Sequence, residues 1–488
     1  MKKFQQWKPM LAPIVLTAIT VFGSSNARAD GEFDPRFATT GHLLVDVSSG
    51  PKDIGQVMRI QPDGKILMAG TCSKSEPSGS STDLFAKFCA TRLNANGSYD
   101  TGFGPGGVGY LRFDRFEGSG GWPHNSFLKD AIRLADGRIA LVGVPTDGSA
   151  IIIGVLTADG SALDSGTAAG AGFFIWQYNA GNSTVATMQQ QPDGKILVAG
   201  SATGPNGNPD MAIKRFLPDF SIDTSFGNGG YQTVAFDLGG PSGDNTDGVN
   251  SITVQQDGRI LLAGFSTTTS GTLPSMSIAR LLPNGQLDSS FGPNQDGRVH
   301  FSPTALSLLE GVVVDRQGRI GIVGAAYASP SDTAPRCFMN RLLGDGSQDP
   351  DFNASAGPGS GQAQLFLASP ISGSYLGCVL TGVTVQNDSS LIAVGSAIRD
   401  TSGTTSFFTA VKLRPDGSFD PGFGDSGQIY NTFAQTTSAS SIDNGWSIAI
   451  ANGGLMIGGA STDSAGTDVK FGIARVTLDE IFVGTFEN

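Results

Sequence analysis

The sequence predicts an all-β fold: a seven-bladed β-propeller of four-stranded antiparallel blades, closed into a ring by the N-terminal strand. Three observations predict it. A hairpin pattern occurs seven times, a second turn pattern follows it in most units, and a copy of that second pattern stands alone at residues 30–37. Composition agrees, because Gly makes up 69 of 488 residues, charged residues only 15%, and Gly, Asn, Asp, Ser and Thr cluster at intervals that favour turns and short strands over helices.

The hairpin pattern is clearest in "VMRIQPDGKILMAG" (57–70), "TMQQQPDGKILVAG" (187–200) and "ITVQQDGRILLAG" (252–264), with related stretches at 131–143, 312–324, 383–395 and 447–459. An alternating apolar run leads into a turn pair, then a second apolar run ends in Gly. The pairs are Asp63-Gly64, Asp136-Gly137, Asp193-Gly194, Asp257-Gly258, Gln317-Gly318, Asp388-Ser389 and Asn452-Gly453, spaced 57 to 73 residues apart. Asp-Gly and Asn-Gly suit a two-residue hairpin turn in which both central residues take positive φ. A lone hairpin cannot bury its apolar faces, so the units must stack.

The second pattern reads "ATRLNANGSYDTGFGPGG" (90–107), "IKRFLPDFSIDTSFGNGG" (213–230), "IARLLPNGQLDSSFG" (278–292), "MNRLLGDGSQDPDF" (339–352) and "AVKLRPDGSFDPGFG" (410–424), with a worn copy at 153–166. It supplies a third strand, a turn and a fourth strand. A basic residue precedes an Asp by eight positions: Arg92 and Asp100, Arg215 and Asp223, Arg280 and Asp288, Arg341 and Asp349, Lys412 and Asp420. Four strands in about 65 residues, seven times over, fit propeller blades better than β-solenoid coils, which are shorter and lack a hairpin turn in every repeat. "DGEFDPRF" at 30–37 is then a third-to-fourth turn, and residues 40–48 form a fourth strand lacking its first three. Residues 445–477 hold three strands lacking a fourth, so the two segments should complete one blade and remove two exposed sheet edges.

The pairing of "QPDGKILVAG" with "IKRF...IDTSFGNGG" over 191–230, and its equivalents elsewhere, resembles the delta-60 repeat (DUF5122-type) proteins. The resemblance spans nearly all the chain after residue 29 and implies a bacterial exported β-propeller, but no shared activity. The second unit departs from the pattern at Val155, where the basic residue is missing, and the sixth at "NDSS", which replaces the Asp-Gly turn.

Residues 1–29 read as a signal peptide: Lys2 and Lys3, an apolar run, then "ARA" before Asp30. That leaves 30–488 as a single propeller domain, periplasmic, cell-surface or extracellular, with no later apolar stretch long enough for a spanning helix. A formal charge of -12 and no basic cluster argue against nucleic acid. Cys72, Cys89, Cys337 and Cys378 allow three pairings, and neighbouring strands favour Cys72 with Cys89 and Cys337 with Cys378.

A residue type repeated in every blade reads as structural. Asp34, Asp100, Asp164, Asp223, Asp288, Asp349 and Asp420 should bind turn N–H groups or the repeated basic residue; calcium is the weaker alternative, and no other cofactor or metal is indicated. Phe37, Phe103, Phe226, Phe291, Phe352 and Phe423 should pack between blades. Function is expected where repeats differ, in the loops joining second to third strands and one blade to the next. There Trp122, His124, Tyr327 and Tyr375 are the candidate ligand contacts. Asp244 and Asp247 read as a solvated acidic loop rather than a cation site. His42, His124 and His300 lie in separate units, and no nucleophile elbow or phosphate loop occurs. The expectation is a monomeric, non-enzymatic binding module for a protein or glycan. A carbohydrate-active hydrolase or lyase with carboxylates in the central channel, and a purely structural surface protein, are the alternatives.

Overall fold

The computed structural model describes residues 30–478 apart from 49, 79–80, 114–124, 147, 149, 169, 177–182, 206, 239–244, 268–273, 302–305, 328–334, 353–361, 365–376, 399–404, 434–441, 452 and 463–467. These residues form seven four-stranded antiparallel sheets. In six of them the strands pair in chain order. In the seventh, His42–Val45 pairs with Val469–Thr477, which pairs in turn with Gly454–Thr462 and Asp443–Ala451. The N-terminal strand thus completes the last blade.

Each blade buries its apolar faces against its two neighbours. Seven core clusters lie one between each adjacent pair, and the cluster joining the last blade to the first contains Phe37, Val45 and Val47 beside Met58, Met68, Met456 and Phe471. The second strands are buried almost throughout, as in "ILVAG" of Ile196–Thr203, because sheets cover both of their faces. Cys72 is bonded to Cys89 within the first blade, and Cys337 to Cys378 across the fifth and sixth.

In six blades the first hairpin turn differs from the two-residue turn expected, whereas in the last blade Ala451 and Gly454 are register partners, as a two-residue turn requires. At 61–65 the Gly64 N–H donates to the Gln61 carbonyl and the Gln61 N–H to the Lys65 carbonyl. Gly64 has φ of 78°, whereas Asp63 is absent from the positive-φ residues. The turn is therefore a three-residue loop closed by one left-handed residue. Asp63 serves a different purpose, its Oδ1 accepting the Lys65 N–H at 3.1 Å; Asp136, Asp193 and Asp257 repeat the contact. In the sixth blade Ser389 takes the glycine's place at φ 71°.

The recurrent Gly of the second run does not end its strand. Gly70, Gly143, Gly200, Gly264, Gly324, Gly395 and Gly459 sit inside second strands, each opposite a register shift in the first strand. A Cβ on any of them would fall well inside contact distance of a first-strand carbonyl oxygen, such as that of Leu308 for Gly324. The glycine is what lets the backbones close on a β-bulge.

Candidate functional site

Two rings of equivalent positions run around the propeller. The first is at the end bearing the third-to-fourth turns. Asp100 accepts the Gly102 N–H with Oδ1 and Arg92 Nε with Oδ2 at 2.6 Å. Arg92 also lies 4.6 Å over the Phe103 ring and donates to the Ala158 carbonyl of the next blade at 2.7 Å. Arg215, Arg280 and Arg341 repeat all three contacts, reaching the carbonyls of Pro283, Gly344 and Pro415. One side chain therefore holds the turn, covers the phenylalanine and ties two blades.

Departures from this ring are compensated. In the second blade, where Val155 replaces the basic residue, Arg138 comes from the hairpin turn instead, pairing with Asp164 at 2.9 Å and donating to Pro218 of the next blade at 2.7 Å. Lys412 reaches Asp420 at 2.8 Å and meets Asp30 of the closing segment at 3.3 Å. In the last blade the pair itself is split between the chain's ends, Arg475 and Asp34 at 3.1 Å. Five of these carboxylates are held in their charged form. Burial opposes ionisation of Asp288, yet the Ser290 contacts, Arg280 and Arg259 bring it down to about 2, and Asp34, Asp100, Asp223 and Asp420 are lowered against the same opposition.

The second ring lines the central channel, whose wall is built from the first strand of every blade around an open space of about 240 Å³. Its members are the extra residues of the seven bulges: Gln56, Lys129, Ala186, Asn250, Glu310, Thr381 and Trp446. A bulge turns its extra side chain out of the ladder and into the lumen. Seven equivalent backbone positions thus present an amide, an ammonium, a methyl, a second amide, a carboxyl, a hydroxyl and an indole.

Several of these side chains are anchored. Gln56 Oε1 accepts the Thr71 hydroxyl at 2.9 Å, Asn250 Nδ2 donates to the Leu309 carbonyl at 2.9 Å, and the Thr381 hydroxyl donates to the Gly445 carbonyl at 2.8 Å. The anchors fix which end of each amide faces the channel. Lys129 has no carboxylate partner among the described residues, and burial raises the Glu310 carboxyl to about 7. Asp130, next to the bulge, is by contrast fully engaged: Arg59 at 2.6 Å, the Thr187 hydroxyl at 3.0 Å, and the N–H groups of Ala131 and Met188.

Comparison with known proteins agrees with this architecture. The model of a domain of unknown function, the DUF5122 β-propeller, matches residues 61–103, 191–226, 255–291 and 386–423, each match running from the first hairpin turn of a blade to the phenylalanine of its second. Four segments of the chain match this repeat. A search of curated proteins found no match. Among solved structures, PorZ, a surface component of the type-IX secretion system of Porphyromonas gingivalis, is 12% identical over 89% of this chain, with a TM-score of 0.44. This chain spans 48% of PorZ. A protein of unknown function from Dyadobacter fermentans is 11% identical over 72% of this chain and 95% of its own, with a TM-score of 0.41. A chain from the complex of Drosophila Plexin A with Semaphorin 1b is 10% identical over 92% of this chain and 88% of its own, with a TM-score of 0.39.

Of the loop residues singled out from sequence, Trp122, His124, Tyr375 and Asp244 lie outside the described residues. Tyr327 is half-buried at the end of strand Ile320–Tyr327, opposite Leu306. The solvated acidic loop is a correction. Asp247 is 1% exposed, opens the inner strand of its blade and accepts the Phe236 N–H at 2.8 Å. Burial, partly offset by Phe236 and Ser266 and reinforced by Asp210 and Asp237, raises it to about 6. The channel ring was missed because the bulge residues share no residue type. Its one trace in the sequence is the Gly inside each second strand. Among the described residues no helix is long and apolar enough to cross a membrane, which does not bear on β-barrel membrane proteins.

Proposed function

We propose that this propeller is an exported binding module that takes its ligand in the central channel, at the level of the seven bulges. One observation carries the reading: the same backbone device recurs in every blade and each time delivers a different side chain into the same space. Glycine, turn and Arg-Asp-Phe contacts hold a constant frame, while the ring from Gln56 to Trp446 varies in charge, size and hydrogen-bonding capacity. Export rests on the pattern of residues 1–29 and on the two disulfides, which suit an oxidising compartment.

Hydrolysis of a glycosidic bond ordinarily uses two carboxyl groups. The channel wall carries Glu310 and Asp130, and the four donors on Asp130 favour a structural role for it. This supports binding over catalysis. The test is a screen of the purified chain against glycan and peptide arrays, beside a hydrolase panel, repeated with Lys129→Met, Glu310→Gln and Trp446→Ala. A ligand lost in these variants at unchanged melting temperature supports the channel site. A ligand indifferent to all three overturns it, and turnover in the panel replaces the binding reading with an enzymatic one.

A further inference from the structure

Building on the reading of the channel as a binding site, we propose that the bulge level is a subsite for an acidic sugar, a single pyranose ring bearing a carboxylate. The lumen is chemically two-sided. Trp446, Val383 and Val312 give the seventh, sixth and fifth blades apolar groups, while Arg59 and Lys129 stand on the first and second, Arg59 beside the Trp446 blade and Lys129 across from Val383 and Val312. Arg59 is engaged by Asp130 at 2.6 Å. That leaves Lys129 as the channel cation without a carboxylate among the described residues, and a ligand carboxylate is its natural complement.

The rest of the ring suits a polyhydroxylated body. With its Oε1 held by Thr71, Gln56 offers N–H donors; with its amide nitrogen held by Leu309, Asn250 offers an acceptor. Sugar hydroxyls donate and accept, so they can answer both. The indole of Trp446 gives the C–H face of a pyranose a flat apolar surface and one N–H donor. Glu310, raised to about 7, can donate a hydrogen bond below neutral pH without repelling an anion. The space of about 240 Å³ is below the roughly 300–1,000 Å³ of pockets for drug-sized ligands, a size suited to a single ring.

The experiment is calorimetric titration of the purified chain near pH 6 with glucuronate and galacturonate, with glucose and galactose as neutral matches and propionate as a bare carboxylate. Uronates are expected to bind at least about tenfold tighter than either control, and Lys129→Met to remove at least about tenfold. Lys129→Gln and Trp446→Leu, followed by circular dichroism melts, guard against a folding defect. Raising the pH to about 8.5 ionises Glu310 opposite Lys129, Arg59 and Asp130, and should weaken uronate binding. Neutral sugars binding as well as uronates, with Lys129→Met silent, overturn the acidic-sugar assignment and leave the channel site standing. Propionate binding as tightly as the uronates overturns it too, as does no uronate binding at millimolar concentration. Whether the channel binds anything is decided separately by the array screen.

Discussion

The turn-end ring and the channel ring are both sevenfold, yet they treat their residues in opposite ways. At the turn end, Arg341 and Asp349 have side chains only 2% exposed, and Arg341 spans a turn, a phenylalanine and a neighbouring blade. Identity is held because one side chain meets three geometric demands at once. In the channel the demand falls on the opposing glycine, and the bulge residue itself has only to be displayed. The backbone there is constrained and the side chain is free to change. Constancy in a repeat therefore marks where the ring is held together, and variation at a constrained backbone position marks where it can be specialised.

That contrast can be broken most directly at the glycines. Gly324→Val would drive a side chain into the Leu308 carbonyl and is expected to cost about 4 kcal/mol or more, at the far end of single-substitution effects; urea unfolding would measure it. Next, Arg341→Met should cost about 3 kcal/mol, because it leaves the buried Asp349 without its cation. The second blade sharpens the comparison. Its substitute pair, Arg138 and Asp164, is 18% and 19% exposed, so Arg138→Met should cost only about 1 kcal/mol, a value that solvation of Asp164 would explain. Equal losses at Arg341 and Arg138 would mean that burial does not set the strength of this contact.

A pH series separates the two rings by sign. The turn-end carboxylates, such as Asp288 at about 2 against an ordinary 3.8, stabilise the fold above pH 4, and that contribution is lost as the pH falls towards 2. Glu310 at about 7, with Asp210 and Asp247 at about 6, acts oppositely, since their raised values favour folding at low pH and that advantage fades as the pH rises from about 4 to 7. Melting temperature should thus peak near pH 4 to 5. A plateau extending to pH 8 would contradict the raised carboxyls. Smallest of all, Lys129→Met and Trp446→Leu should shift stability by no more than about 0.5 kcal/mol, while changing ligand affinity.

The architecture was legible because its signals are local and repeated. Asp-Gly turns, alternating runs and the orphaned "DGEFDPRF" were enough to count the blades and identify the closing strand. The turn geometry was misjudged in six blades since Asp-Gly serves two hairpin types, and the choice between them depends on how far the strands pair beyond the turn. The Arg138 substitution was illegible for another reason: its position follows the turn in every unit, and Lys65, Lys195 and Arg259 there also reach Asp100, Asp223 and Asp288, so nothing local marks the one blade in which it acts without a third-strand cation. The channel ring eluded sequence reasoning because a bulge shifts the phase of alternation by one residue. Each extra residue, whether Ala186 or Trp446, then looks like an ordinary strand position.

The completed last blade also governs when the molecule can finish folding. His42 and Ala474 are register partners roughly 430 positions apart. Loop-closure entropy grows only logarithmically, so compared with a contact inside one blade this long reach costs about 2 kcal/mol extra. The larger consequence is temporal. Until Val469–Thr477 has emerged from synthesis and any translocation, His42–Val45 has no partner, so a prematurely terminated chain is left with two bare strand edges and joins the aggregation-prone population rather than the native one.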